Sequence, residues 1–436
     1  MTAPGIDRPT EAERRTLHGQ QLLTLDGLRS LPEHLRADMS LVTQVLPFKV
    51  NGYVLERLID WSNIPDDPIF RLTFPHSEML PGPVLEMLRF SATSTADGKA
   101  APEVVSDVRR LLNPDPSHQM ALNVPLLDGH PVKGVQHKYQ ETVLVFPSQG
   151  QTCHSYCGYC FRWPQFVGKH ELRHTTNDVT EVVEYLATQP AVTDVIITGG
   201  DPMVMRTELL ERYLLPLLER CPNLRNIRIG TKALAYWPYR FTWGEQADSL
   251  LGLFERVVAT GRSLTVMAHL SHPREMLPPQ FELAVRRIRS TGATVRSQAP
   301  LIRGVNDRAE AWASLWTNQV RFGITPYYMF VERDTGSHAY YSVPLARAHR
   351  IYTDAIRAVS GLARSARGPV LSAPPGKILV DGVVDLGDQR LFSCRFIQAR
   401  DADRVGEISL YHWDDSATWI DQLKPYDPDA FHSVGD

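Results

Sequence analysis

Apolar residues in this chain change their rhythm along its length. From residue 142 onward, short apolar runs alternate with longer segments whose apolar residues recur at helical spacing. The strand-like runs fall at 142–146, 194–198, 226–230, 264–268, 294–299 and 324–330. The helix-like segments between and after them cover 177–188, 208–220, 249–259, 274–290, 308–322 and 346–359. Six strand–helix alternations predict parallel βαβ units. Six units fall short of the eight that close a full barrel, so an α/β fold with a partial (β/α)6, TIM-like barrel is expected, with a doubly wound sheet as the alternative.

The flanks read differently. Residues 1–35 are polar and charged, as in a flexible or weakly helical tail. Residues 36–140 are rich in Pro and Asp, with helical spacing at Val84, Leu85 and Leu88, and at Val104, Val108, Leu111 and Leu112. They predict a helical extension. After about 365 the helix–strand rhythm stops. Ser372-Ala-Pro-Pro-Gly-Lys377 is a turn signal, followed by strand-like 378–386 and 390–396. The end, 408–436, carries Trp413 and Trp419 and reads as a packed tail or partner contact. Three segments are therefore expected: 1–140, a barrel over 141–364, and a small β or irregular segment over 365–436.

Composition adds limits. Of 436 residues, 43% are hydrophobic, enough for a large core without disulfides. The formal net charge of -3, from 46 Lys+Arg and 49 Asp+Glu, gives no electrostatic case for nucleic acid or an anionic membrane. The opening MTAPGIDRPTEAERRTLHGQ holds no apolar run of the kind a secretory signal needs. A cytoplasmic, reducing location is expected, where clustered cysteines read as metal ligands before disulfides.

Three of the five cysteines form Cys153-His-Ser-Tyr-Cys157-Gly-Tyr-Cys160, a C-x3-C-x2-C array just after the first barrel strand. Three thiolates on one short loop can bind three corners of a cubane cluster and leave the fourth iron open. Zinc is the rival, but structural zinc wants four ligands, and His154 beside Cys153 is poorly spaced to complete a set. Cys221 and Cys394 are isolated. The second strand ends in Thr198-Gly199-Gly200-Asp201, where glycines permit close backbone approach and an acid can accept from an ammonium.

The cysteine array resembles the radical SAM superfamily. That resemblance implies a [4Fe–4S] cluster on Cys153, Cys157 and Cys160, with S-adenosylmethionine on the open iron. It implies Tyr159 near the adenine, Thr198, Gly199, Gly200 and Asp201 at the methionine amino group, and an electron donor such as flavodoxin or ferredoxin. Three further segments narrow it: Met267-Ala-His269-Leu-Ser-His272-Pro273, Gln298-Ala-Pro-Leu-Ile-Arg303-Gly-Val-Asn306-Asp307 and Pro326-Tyr-Tyr-Met-Phe330. Over roughly residues 40–385 the chain resembles the lysine 2,3-aminomutase family. The resemblance carries S-adenosylmethionine contacts onto His269 and Gln298.

It also implies pyridoxal 5′-phosphate, with Lys377 as the Schiff-base lysine and His137-Lys138-Tyr139 at the phosphate, before the first strand. The glycine run before Lys377 is short, and Thr142 stands where the family has a second phosphate arginine. Arg162 matches the arginine that grips the substrate α-carboxylate. The two aspartates that hold the distal ammonium of lysine correspond to Arg333 and Ser372. An arginine there repels an ammonium, so the expected substrate carries a distal acid or neutral group, as glutamate does. Glu332 and Asp334 would be the acids available if the register shifts by one. The zinc cysteines of some members are absent: Arg308 occupies one such position and Cys394 is the only late cysteine.

The expected function is thus a radical SAM, pyridoxal-phosphate-dependent 2,3-aminomutase that converts an α-amino acid to a β-amino acid. The alternatives are a pyridoxal-phosphate-independent enzyme on the same scaffold, catalysing another rearrangement, elimination or epimerisation, and a non-catalytic iron–sulfur protein. A homo-oligomer is left open.

Overall fold

The computed structural model describes residues 8–96, 98–113, 122–167 and 172–426. One eleven-stranded sheet organises them. Its strands are β1 (Val135–Tyr139), β2 (Thr142–Val145), β3 (Asp194–Ile197), β4 (Asn226–Thr231), β5 (Ser263–His269), β6 (Thr294–Leu301), β7 (Thr325–Val331), β8 (Arg367–Ala373), β9 (Gly376–Leu386), β10 (Gln389–Ala399) and β11 (Ile408–His412). They lie side by side in chain order, from β1 at one end to β11 at the other. β2 to β8 are parallel; β1 and β9 to β11 run antiparallel to their neighbours.

The crossovers carry α1 (Thr180–Ala187), α2 (Thr207–Arg220), α3 (Glu245–Ala259), α4 (Pro279–Ser290), α5 (Ala309–Arg321) and α6 (Leu345–Arg357). A doubly wound sheet reverses its strand order at a switch point. Here each new strand joins on the same side, so the arrangement is six βα units of a barrel wall. The parallel strands read as near-continuous apolar runs because helices cover one face and the barrel interior the other. Val195, Ile197, Ile227, Ile229, Leu264 and Val266 are buried in one core with Leu214, Phe254 and Phe281 of the helices.

Several sequence expectations change. The parallel wall has a seventh strand, β8, in the region read as past the barrel rhythm. Gly368 and Pro369 hide its pattern, since both residues are poor strand formers. His137-Lys138-Tyr139 precedes the first parallel strand as expected, and itself forms part of an added antiparallel strand, β1. The helix expected over 274–290 is broken: Pro273–Met276 is a 3-10 turn and α4 begins at Pro279. The adjacent Pro278 and Pro279 cannot continue a helix but suit its start.

The expected tail over 1–35 is, from residue 8, packed rather than loose. Leu22, Leu25, Leu28 and Leu31 are buried in the main core. Their spacing of three follows 3-10 turns over Gly19–Thr24 and Asp26–Ser30. Thr16–His18 pairs with Lys49–Asn51 in a small antiparallel sheet. At the other end Trp419 is buried and Trp413 stacks on Phe392 at 4.5 Å between centroids. Residues 427–436 of that expected packed tail lie outside the described residues. No described helix is long and apolar enough to cross a membrane.

Candidate active site

The cysteine loop leaves the C-terminal end of β2 and is clamped by the N-terminal extension. Tyr156 N donates to Lys49 O and Gly158 N to Leu72 O, both at 2.8 Å; Asn51 N donates to Ser155 Oγ at 3.0 Å. Gly158 has to be glycine, because a Cβ there would stand 2.2 Å from the Tyr341 hydroxyl. Cys153, Cys157 and Cys160 are free thiols on this loop, and burial pushes all three up, Cys160 to about 12. Among the described residues no three His, Cys, Asp or Glu side chains converge as a single-ion site requires. A cubane spreads its ligands over separate irons, so three thiols on one loop fit that group. The His154 ring lies tilted against Trp237, 4.6 Å between centroids, and its Nε2 is 3.8 Å from Asp201 Oδ2.

Thr198, Gly199, Gly200 and Asp201 follow β3 and face this loop. Asp201 N donates to Thr152 O at 2.7 Å, and a Cβ on Gly200 would stand 2.4 Å from the same oxygen. The close approach these glycines permit is therefore to the chain entering Cys153. Asp201 differs from its expectation as a free acceptor. Its buried carboxylate already accepts from Met203 N (2.9 Å), Thr231 Oγ1 (2.7 and 2.9 Å) and Lys232 N (2.9 Å). It ties the ends of β3 and β4 together.

Tyr159 and His269 do meet. The Tyr159 hydroxyl lies 3.1 Å from His269 Nδ1 and 3.2 Å from Ser271 Oγ. Burial, with Lys232 nearby, pulls His269 down to about 3, so its imidazole is neutral. Gln298 of β6 sits directly across from His269 of β5 in the parallel register. Lys232 and Glu275 complete this wall and were not singled out in the sequence. Lys232 Nζ reaches Glu275 Oε1 at 2.8 Å, His269 O at 3.2 Å and Ser271 Oγ at 3.2 Å. Glu275 Oε2 accepts from Ser271 N at 2.7 Å. The one sequence cue is position: Lys232 follows β4 as Asp201 follows β3.

The opposite wall is cationic. Lys377 lies on β9, across from Ser372 of β8. Its ammonium donates to Gln398 Oε1 and lies 4.8 Å from the Tyr139 ring centroid and 5.2 Å from that of Tyr328. Lys138 donates to Ala373 O. Burial, reinforced by neighbouring arginines, pulls each lysine down to about 7. Arg333 Nη1 donates to Ser372 O at 2.8 Å, and its guanidinium lies 5.5 Å from the Phe161 ring. Its buried Nε has no hydrogen-bond partner, and Asp334 is 3.7 Å away. Glu332 is tied to His338 Nδ1 at 2.6 Å, while Asp334 is exposed.

Arg162, two residues past Cys160, is 8% exposed. Its guanidinium packs 3.9 Å from the Phe146 ring centroid, and its buried Nη1 lacks a hydrogen-bond partner. Burial pulls it down to about 10, so it remains a cation at neutral pH. Phe161 lies between the cysteine loop and Arg333. A chain of contacts thus leads from Cys160 to its neighbour Phe161, from the Phe161 ring to Arg333, from Arg333 to Ser372 O, and from Ser372 to its cross-strand partner Lys377. A set of buried cations facing neutral acceptors fits an anionic cofactor such as pyridoxal phosphate and a substrate carboxylate.

No family model matches the chain. An Aquifex aeolicus protein named "Putative L-lysine 2,3-aminomutase" is 32% identical over 402 residues, covering 92% of this chain and 94% of that one. The L-lysine 2,3-aminomutase of Escherichia coli is 28% identical over 258 residues, 59% of this chain and 71% of that one. The L-lysine 2,3-aminomutase of Clostridium subterminale is 26% identical over 200 residues, 46% and 45% of the two chains. Among solved structures, a radical SAM methyltransferase from Sphaerobacter thermophilus aligns with 55% of this chain and 68% of that one, at 19% identity and a TM-score of 0.38. By its extended likeness to the Aquifex aeolicus protein, together with the cysteine array it carries, the chain belongs to the lysine 2,3-aminomutase family of radical SAM enzymes, which are isomerases.

Proposed function

We propose that the protein is a 2,3-aminomutase that uses a [4Fe–4S] cluster, S-adenosylmethionine and pyridoxal phosphate, and that its substrate is not free lysine. The observation that supports this reading is the chain of contacts Cys160–Phe161–Arg333–Ser372–Lys377. It joins the thiols that would hold the cluster to the lysine that would hold pyridoxal phosphate.

When bound, these cofactors supply the substrate radical and the means for its amino group to move. The chain supplies the rest. Arg162 would grip the α-carboxylate with its guanidinium fork. Lys377, with its lowered affinity for a proton, would present a neutral amine to the cofactor. Tyr159, neutral His269 and Gln298 would line the S-adenosylmethionine side. The tight approaches at Gly158 and Gly200 hold the loop that carries the thiols in place.

Arg333 and Ser372 set the substrate class. A lysine ammonium meeting Arg333 would be repelled, whereas a carboxylate could take the hydrogen bond that its Nε, 3.7 Å from Asp334, does not make. A screen of amino acids under reducing, oxygen-free conditions, with 5′-deoxyadenosine and β-amino acid detected together, tests this. L-Glutamate or another acidic or neutral amino acid is expected to exceed L-lysine. Turnover of L-lysine well above that of L-glutamate would sink the substrate assignment.

A second reading, the same scaffold working without pyridoxal phosphate, is favoured by Thr142. Its hydroxyl is 3.2 Å from Asp194 Oδ2, and it brings no charge to a phosphate. Wild-type protein that turns over its substrate with no pyridoxal phosphate bound would establish it.

A further inference from the structure

The turn between β8 and β9 is ringed by cations from distant parts of the chain. Arg333 donates to Ser372 O at 2.8 Å, Lys138 to Ala373 O, and Arg400 Nη2 to Pro374 O at 3.5 Å. Arg400 follows directly on β10, and its N–H donates to Pro375 O at 2.8 Å. Its guanidinium also reaches Leu122 O at 3.2 Å and Asn123 Oδ1 at 2.6 Å. Every one of these acceptors is neutral. Lys138 and Arg400 are therefore fixed in place by acceptors that bring no negative charge, an arrangement suited to a bound anion.

Thr142 is the cross-strand neighbour of Tyr139, beside Lys138, and is the position where a second arginine would be expected. Its hydroxyl is turned to Asp194. Arg400 approaches the same Lys138–Tyr139 corner from the C-terminal segment.

We infer that Lys138 and Arg400 together hold the phosphate of pyridoxal phosphate, with Arg400 restoring in space the charge that Thr142 does not provide. A guanidinium fork matches two phosphate oxygens, and Lys138 adds a point charge beside it. The inference rests on the pyridoxal-phosphate reading above.

The full-length protein, with its cluster reconstituted, is titrated with pyridoxal phosphate and separately with pyridoxal, following the absorption of the lysine-linked cofactor. Arg400→Gln is expected to weaken pyridoxal phosphate by about 10- to 100-fold, as for loss of a charged hydrogen bond, and to leave pyridoxal unchanged. Arg400→Lys should recover part of that loss, which separates charge from any effect on folding. Inorganic phosphate should compete with pyridoxal phosphate on the wild type more strongly than on Arg400→Gln. Equal effects on both ligands, or none on either, would overturn the phosphate subsite alone. Unchanged pyridoxal phosphate affinity with a raised KM for the amino acid would assign Arg400 to a substrate carboxylate instead. A wild type that binds neither ligand would overturn the pyridoxal-phosphate reading and this subsite with it.

Discussion

The Lys377 ammonium lies 4.8 Å from the centroid of the Tyr139 ring, and Lys138 approaches the same ring at 5.3 Å. Two amines are held close to one aromatic ring, and burial pulls both down to about 7. A ring face attracts a cation, but burial and the surrounding arginines outweigh that attraction.

The lowered value at Lys377 has a kinetic and a thermodynamic consequence. If Lys377 is the cofactor lysine proposed above, its neutral amine would be the form that adds to pyridoxal phosphate, so cofactor capture should climb between about pH 6 and 8 and level off above that. An ordinary lysine would keep climbing towards pH 10. For folding, the native state binds fewer protons than the unfolded chain between about pH 7 and lysine's ordinary value. The cost of burying the charge is therefore complete below about pH 7 and is relieved as pH rises through that window. Lys377→Met should abolish cofactor absorption and turnover. It should also raise the Tm of the cofactor-free protein at pH 6–7 and leave it unchanged near pH 10.5. A Tm gain independent of pH would show that the buried charge is not the cause.

Arg162 makes the same trade in sharper form. It is a buried cation on a phenylalanine ring, with Nη1 unpartnered. Such a group destabilises the empty protein and becomes useful when a carboxylate arrives. Arg162→Met should melt at a higher temperature than the wild type while substrate binding falls at least about 30-fold, the cost of losing a charged pair. Calorimetry and a binding titration of the cluster-loaded protein check both halves. A variant that melts lower and binds equally well would make Arg162 a structural brace.

What could be read along the chain depended on contiguity. The cysteine array and Gly-Gly-Asp are adjacent residues, and the six strand–helix pairs repeat a local pattern. The cationic wall is different. Lys138 and Ala373 are joined by a hydrogen bond across 235 positions, and only likeness to a family suggested that Lys138 and Lys377, which approach the same Tyr139 ring, act together. Arg400 carried no motif. Leu22, Leu25, Leu28 and Leu31 escaped notice because their period is that of 3-10 turns, between the helix and strand periods. β8 was hidden by a glycine and a proline. Asp201 was expected to accept from a bound ammonium, but its hydrogen bonds to the next strand appear only in three dimensions.

The five cysteines should separate into two groups. Cys153→Ala, Cys157→Ala and Cys160→Ala should each lose the cluster's iron, its visible absorption and 5′-deoxyadenosine formation. Cys221 and Cys394 are each 1% exposed and pack as small apolar groups. Cys221→Ala and Cys394→Ala should keep full iron content and cost about 1 kcal/mol of stability. Loss of iron from either of these two would place a cluster ligand outside the loop.

The Lys232–Glu275 pair offers a direct test of how the proposed S-adenosylmethionine side of the site is held. Glu275 is fully buried, with one oxygen on Lys232 and the other on Ser271 N, and Ser271 in turn meets the Tyr159 hydroxyl. Glu275→Gln leaves the Lys232 ammonium buried without a counter-charge, a change that costs about 3–5 kcal/mol. Tm should therefore fall by several degrees. Lys232→Met combined with Glu275→Gln removes both charges, so the double variant should recover much of the loss, which a double-mutant cycle measures. Binding of S-adenosylmethionine to the double variant should still be weakened, because Ser271 loses the carboxylate that orients it. If Glu275→Gln melts within a degree of the wild type, the pair is not what fixes Ser271 against Tyr159.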